Sequence, residues 1–280
     1  MTDFQTDPDY EECIVSFIDI LGFRDLLNRS SAAEIRKVLQ IFHRHSKPYE
    51  TDEPMDSGER RTLSEVKMEV VSDAIVRART IHTDYKDGAL FHELLDLVFI
   101  QSLCLNQGIL LRGALTIDYV HVGENMEGPV FGPGLVNAYL MEGREAVYPR
   151  IIVDEAVMKR FAEDRALWRE GHSKCQEQRY VTQLLKSDEA GLGFVDYLRG
   201  IKTEVDHYGE YLEFLERHSN LIRQGLSSAS RRDVRRKYAW LRNYHNKQVK
   251  QEMDTPNLDD PNPELDGATL RELLEPLVLS

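Results

Sequence analysis

The chain has 280 residues, of which 41% are hydrophobic and 30% charged, with a formal net charge of −13. That size allows one or two domains with a sizeable core, and the acidic balance excludes binding a nucleic-acid backbone through the overall field. A nucleotide is not excluded, because a bound metal ion reverses the local sign. Cys13, Cys104 and Cys175 are far apart, odd in number and in no metal spacing, which reads as reduced thiols in a cytoplasmic protein. The acidic N-terminus, without an apolar stretch, does not read as a signal peptide. The most apolar long segment, 90–111, carries His92, Glu93 and Asp96, and so reads as a core helix, not a membrane span.

In chain order, residues 13–18 are an apolar, β-rich run, read as a buried strand. From 21 to about 46, Leu26, Leu27, Ile35, Val38, Leu39 and Phe42 recur at helical spacing and predict one helix. Residues 47–65 are polar with two prolines, a loop. Two strands, 66–71 and 74–79, flank a sharp turn at Ser72-Asp73. A long apolar helix over 84–107 and a strand over 109–119 come next. A glycine-rich stretch, 123–134, leads to a helix to about 144, a strand near 151–152 and a helix to about 163.

The order is β-α-β-β-α-β with an appended αβ unit, an α+β fold with a ferredoxin-like core. Residues 1–165 are taken as this core and 166–250 as an extension completing the same domain, with helices from about 202 to 251 broken near 225–230. The acidic, proline-bearing tail 251–280 is expected to lack order as far as about residue 270. Residues 231–250 hold eight Lys/Arg against one acid. Val234, Tyr238, Leu241 and His245 fall at helical spacing there, so packing on the core with the basic residues in solvent outweighs nucleic-acid or nucleotide-phosphate binding.

Two motifs carry chemistry. In FIDILGF, residues 17–23, an apolar strand delivers Asp19 at its end and the chain turns into a helix. Free N–H groups at that helix start, with Gly22 allowing close approach and Phe23 following, suit phosphate oxygens. A carboxylate beside an anion needs a cation between them, which Mg²⁺ or Mn²⁺ supplies. The plain alternative is a helix N-cap aspartate. In VVSDAIV, residues 70–76, Asp73 sits in a hairpin, where an ordinary turn aspartate is the alternative. A ferredoxin-like core lays the two motifs side by side, an arrangement suited to two-metal catalysis.

With LRGAL (residues 111–115) and the stretch 132–142, these motifs resemble the class III nucleotide cyclases over roughly residues 13–155. Departures accompany the likeness. Glu69 stands where purine cyclases carry a base-reading lysine, and Pro129 where they carry a base-reading aspartate. Val136 and Leu140 take the positions of the family's catalytic asparagine and arginine. That pattern resembles the bacterial pyrimidine cyclases of the Pycsar anti-phage system, as do the AYxxE segment (138–142), the PRI strand (149–151), SDEAGLGFVDYL (187–198) and KYAWLRNYHN (237–246).

The resemblance implies a homodimer with interface active sites and UTP or CTP as substrate. It also implies a 3′,5′-cyclic pyrimidine monophosphate as product and a downstream effector that answers to it. Asp19, Asp73 and the Ile20 carbonyl are the expected ligands of two Mn²⁺ or Mg²⁺ ions. Arg112 and Arg144 are candidates for the missing transition-state cation; a structural ion pair and a surface arginine at a helix C-terminus are their alternatives. Glu69 is the candidate for reading a pyrimidine edge and Tyr49 for stacking on the base, against a solvent-facing strand residue and a packed loop tyrosine. Two rivals stay open: a catalytically silent nucleotide-binding regulatory module, and a palm-type nucleotidyl transferase. No HExxH, zinc spacing or P-loop is present.

Overall fold

The computed structural model describes residues 4, 7–48, 63–123, 129–254 and 267–280. The chain divides into two compact units, residues 1–196 and 197–280.

The first unit is built on β1 (Glu11–Ile20), β2 (Val66–Val71), β3 (Ala74–Thr80), β4 (Leu111–Val120), β5 (Ile151–Val153), β6 (Leu185–Ser187) and β7 (Gly193–Val195). Their order across one sheet is β2-β3-β1-β4-β5-β7-β6. β1 lies antiparallel between β3 and β4, and β2 pairs with β3 as a hairpin. β5 runs parallel to β4, joined to it through helix α4 (Pro133–Glu145). The expected βαββαβ core and its appended αβ unit are both present.

Three local differences from expectation appear. The helix expected over 21–46 is two, α1 (Phe23–Arg29) and α2 (Ala32–Ser46). Ser31 starts α2 with a capping box: its side chain accepts from the Glu34 N–H while the Glu34 carboxylate accepts from the Ser31 N–H. Helix α3 begins only at Ala89 and ends at Leu105 (Ala89–Leu105), after Gly88 at φ +84°. The β6–β7 hairpin extends the sheet beyond the expected strands. Helices α5 (Glu155–Glu163) and α6 (Lys174–Gln183) precede that hairpin.

Strand alternation sorts the core onto two faces. Cys13, Val15 and Phe17 of β1 pack with Val76, Ala78, Val120 and with Leu135 and Ala138 of α4. Ser16 points the other way and donates to Glu93 on α3, so Ile14 and Ile18 share the α3 face. Leu90, Leu94, Leu97 and Val98 of α3 are fully buried, as expected of a core helix. Each such side chain contributes about 1.5–3 kcal/mol by leaving water. Gly113 lets β4 approach β1 closely: a Cβ there would stand 2.5 Å from the Phe17 carbonyl oxygen.

The second unit is helical: α7 (Tyr197–Lys202), α8 (Tyr208–Ser228), α9 (Arg232–Asp254) and α10 (Gly267–Leu274). Leu241, Tyr244 and His245 of α9 are buried, Val234 and Tyr238 half-buried, and Arg231, Arg232, Arg235 and Arg236 exposed. His245 donates from Nε2 to the Leu277 carbonyl at 3.0 Å, and its Nδ1 lies 2.9 Å from His218 Nδ1. Burial pushes the His245 imidazole down to about 4 and the His218 imidazole well below its ordinary value. Among the described residues no helix is long and apolar enough to cross a membrane.

Candidate active site

Asp19 is the next-to-last residue of β1, opposite Ala74 on β3 and Arg112 on β4. That register places it beside the tip of the β2–β3 hairpin. Val71 and Ala74 close the hairpin, leaving Ser72-Asp73 as a two-residue turn. Ser72 sits at φ +59°, a left-handed conformation that only a minority of non-glycine residues adopt. The tip is tied to β1: the Ile20 N–H donates to the Asp73 carbonyl at 3.1 Å. The two aspartates, 54 positions apart in sequence, thus become neighbours through one strand pairing and one tight turn.

Arg112 reaches across the strand pair. Its Nη2 and Nε donate to Asp19 Oδ2 at 3.0 and 3.2 Å. Its Nε also lies 2.7 Å from Oε1 of Glu142, on the last turns of α4. Oε1 accepts no hydrogen bond there, so the short distance marks a contact of charge, the angle being wrong for proton donation. Burial pushes the Asp19 carboxyl up to about 6; Arg112 opposes that rise and Asp73 adds to it. Burial likewise lifts Glu142 to about 6, against Arg112 and with help from Asp19. One guanidinium therefore serves two carboxylates, Asp19 and Glu142, with Asp73 beside Asp19.

The pairing of β1 with β3 and β4 brings Asp19, Ile20, Asp73 and Arg112 together. Gly22 caps α1 at φ +88° with no side-chain hydrogen bond, so the N–H groups of the first turn, including Phe23, meet no side-chain cap. Glu69 lies on β2 and accepts from the Val130 N–H at 2.7 Å, which fastens the edge strand to the segment before α4. Arg144 is exposed on the last turn of α4. Tyr49 lies outside the described residues. Glu142, 3% exposed, is the residue that sequence reasoning passed over; its signal was the AYxxE spacing.

Two carboxylates and a backbone carbonyl are hard oxygen donors, suited to Mg²⁺ or Mn²⁺. Among the described residues no group of three His, Cys, Asp or Glu side chains stands together as a metal site. The donor set accordingly fits an ion that brings further oxygen ligands with it, as phosphates and waters do.

No family model matches the chain, and no curated protein matches it. Among solved structures it is similar to the guanylyl cyclase Cya2, with 16% identity and a TM-score of 0.37, over 59% of this chain and 82% of that one. It is also similar to a bacterial light-regulated adenylyl cyclase, with 15% identity and a TM-score of 0.39, over 65% of this chain and 60% of that one.

Proposed function

We propose that the chain is a pyrimidine nucleotide cyclase of the class III kind. It converts UTP or CTP to the 3′,5′-cyclic monophosphate and pyrophosphate, as a second messenger in anti-phage defence. The observation that carries this is the convergence of Asp19 and Asp73, joined through the Ile20–Asp73 backbone bond. The ribose 3′-oxygen attacks the α-phosphorus as the bond to the β-phosphate oxygen breaks. Asp19, Asp73 and the Ile20 carbonyl would hold two Mn²⁺ or Mg²⁺ ions, which lower the pKa of an attacking hydroxyl and neutralise a leaving pyrophosphate. Uncapped N–H groups at Gly22 and Phe23 orient the phosphate oxygens. Arg112, which donates to Asp19, supplies charge that Leu140 does not. Glu69 and Tyr49 remain the candidates for reading and stacking the base.

A homodimer with active sites at the interface fits the surface around α4. Val136, Tyr139 and Leu140 form an exposed apolar stripe at i, i+3, i+4 spacing, with Tyr139 edge-on to Phe17 at 5.3 Å between ring centroids. Leu140→Glu is expected to leave a monomer in sedimentation velocity and no activity. A catalytically silent nucleotide-binding module is the alternative, favoured by the apolar Val136 and Leu140 in that stripe.

The deciding experiment incubates the purified chain with Mn²⁺ and each of ATP, GTP, UTP and CTP, resolving products by mass spectrometry beside Asp73→Ala. Cyclic UMP or cyclic CMP, absent from the variant, is expected. Cyclic AMP or GMP would keep the cyclase and refute the pyrimidine assignment. Tight nucleotide binding with no product would favour the silent module.

A further inference from the structure

We propose that Glu142 is a positioning residue for this site: it is the second carboxylate of Arg112, and it takes the arginine over when Asp19 gives its carboxylate to a divalent ion. This rests on the metal reading of Asp19 and Asp73.

Both hydrogen bonds of Arg112 in the site end on a single oxygen, Asp19 Oδ2. A divalent ion bound through that oxygen competes with two N–H donors and faces a like charge at short range. Asp19 cannot serve both cations fully. Arg112 then needs another anion, since a half-buried guanidinium stripped of its partner is costly. Glu142 is placed to be that anion. Its Oε1 is already 2.7 Å from Arg112 Nε, yet accepts no hydrogen bond because the single N–H on that nitrogen points at Asp19. A small turn of the guanidinium converts this charge contact into a hydrogen bond.

The position of Glu142 argues the same way. It is a buried carboxylate on α4, one turn after Ala138, which packs in the apolar core. For stability alone an apolar side chain serves as well at such a place. A buried carboxylate oxygen left without a donor is understandable as a seat kept for a group that moves. Arg112 thus holds Asp19 neutralised in one arrangement and Glu142 neutralised in the other, and Asp19 becomes free to act as a ligand.

The test is Mn²⁺ binding to the purified full chain, read from the electron paramagnetic resonance signal of free Mn²⁺. Glu142→Gln leaves Arg112 only Asp19 as partner, so Mn²⁺ should bind about tenfold more weakly, in the range of other outer-shell substitutions. Glu142→Asp should recover part of that loss. Arg112→Gln removes the competitor and should bind Mn²⁺ at least as tightly as wild type. In that background Glu142→Gln should no longer weaken binding. Glu142→Leu gives the same reading if the glutamine variant does not fold. Unchanged binding in Glu142→Gln, or an equal loss with and without Arg112, overturns the proposal while leaving the metal site standing. Asp19→Asn and Asp73→Asn variants that bind Mn²⁺ as wild type does would instead overturn the metal site, and this proposal with it.

Discussion

The two faces of the sheet each carry arginines against carboxylates, and the two clusters are built to opposite ends. On the α3 face, Arg77 and Arg79 of β3 meet Glu93 and Asp96 of α3. Two cations face two anions, and nearly every polar atom is used. Arg77 also donates to the Ser46 carbonyl at 2.8 Å, Arg79 to Ser64, and Ser16 donates to Glu93 at 2.9 Å. Burial pushes Glu93 up, but Arg77 and Arg79 outweigh it and hold the carboxyl below its ordinary value. On the α4 face, Arg112 is shared by Asp19 and Glu142, with Asp73 beside Asp19, and both of Arg112's carboxyl partners rise to about 6. The first cluster is saturated and its product is a fixed sheet–helix joint. The second is short of positive charge, which on the proposed reading suits it to take up a cation. Identical residue types give structure or chemistry according to how completely they satisfy one another.

The largest expected effect lies in the unsaturated cluster. Asp73→Ala should lower cyclic-nucleotide formation by about 10³-fold or more, on the scale of losing a group that stabilises transition-state charge. Because Asp73 is a half-exposed turn residue, unfolding in urea should shift by only about 1 kcal/mol or less. Retained product would remove the distinction between the two faces. The saturated cluster should answer in the reverse way. Glu93→Leu strands two buried guanidiniums and should cost about 3–5 kcal/mol of stability, measured by the same urea titration. A loss below about 1 kcal/mol would mean that the joint does not depend on its charges.

The pH dependence of stability separates the clusters by sign. Asp19 and Glu142 have folded-state carboxyls raised to about 6 from 3.8 and 4.5. Their contribution is therefore full below pH 4 and is lost as pH rises through 6. Glu93 is depressed, so its contribution is present above 4.5 and is lost as pH falls through and below that value. Melting temperatures of Asp19→Asn/Glu142→Gln without divalent ions should lose the decline between pH 4 and 6 and keep the acid limb. A wild-type curve flat from pH 4 to 7 would contradict the strain ascribed to the open cluster.

The same contrast explains what was legible in the sequence. Asp19 and Asp73 could be read because one stands near the end of an apolar strand and the other in the turn of a hairpin, both local patterns. Gly113 was legible as part of LRGAL, although the reason, contact with the Phe17 carbonyl, lies in the pairing of β4 with β1. Arg77 and Arg79 alternate along β3 as solvent-facing residues do, yet both are buried, because Glu93 and Asp96 arrive from a helix that the strand pattern does not show. Glu142 was visible as a letter in a motif and invisible as a partner of Arg112, since that meeting depends on how α4 crosses the sheet. Glu69 similarly reveals its bond to the Val130 N–H only when the edge strand and the loop before α4 come together. The break between α1 and α2 was written locally, as Ser31 and Glu34 at capping-box spacing, but the apolar periodicity running through it masked it.

The smallest expected effect concerns Ser72, which alone among the described non-glycine residues has a positive φ. The saturated face holds its charges with ordinary strand and helix backbone, whereas the open face sets Asp73 on a strained turn. Ser72→Gly relieves that strain and adds freedom to the unfolded chain, two effects of opposite sign, so stability should move by less than about 1 kcal/mol. Ser72→Val places a β-branched residue at φ +59° and should lose about 1–3 kcal/mol. If the two variants melt alike, the turn relaxes without cost, and the position of Asp73 is set by the Ile20 N–H bond to its carbonyl. If Ser72→Gly keeps its stability but loses product, the rigidity of the turn, beyond its shape, holds Asp73 against Asp19.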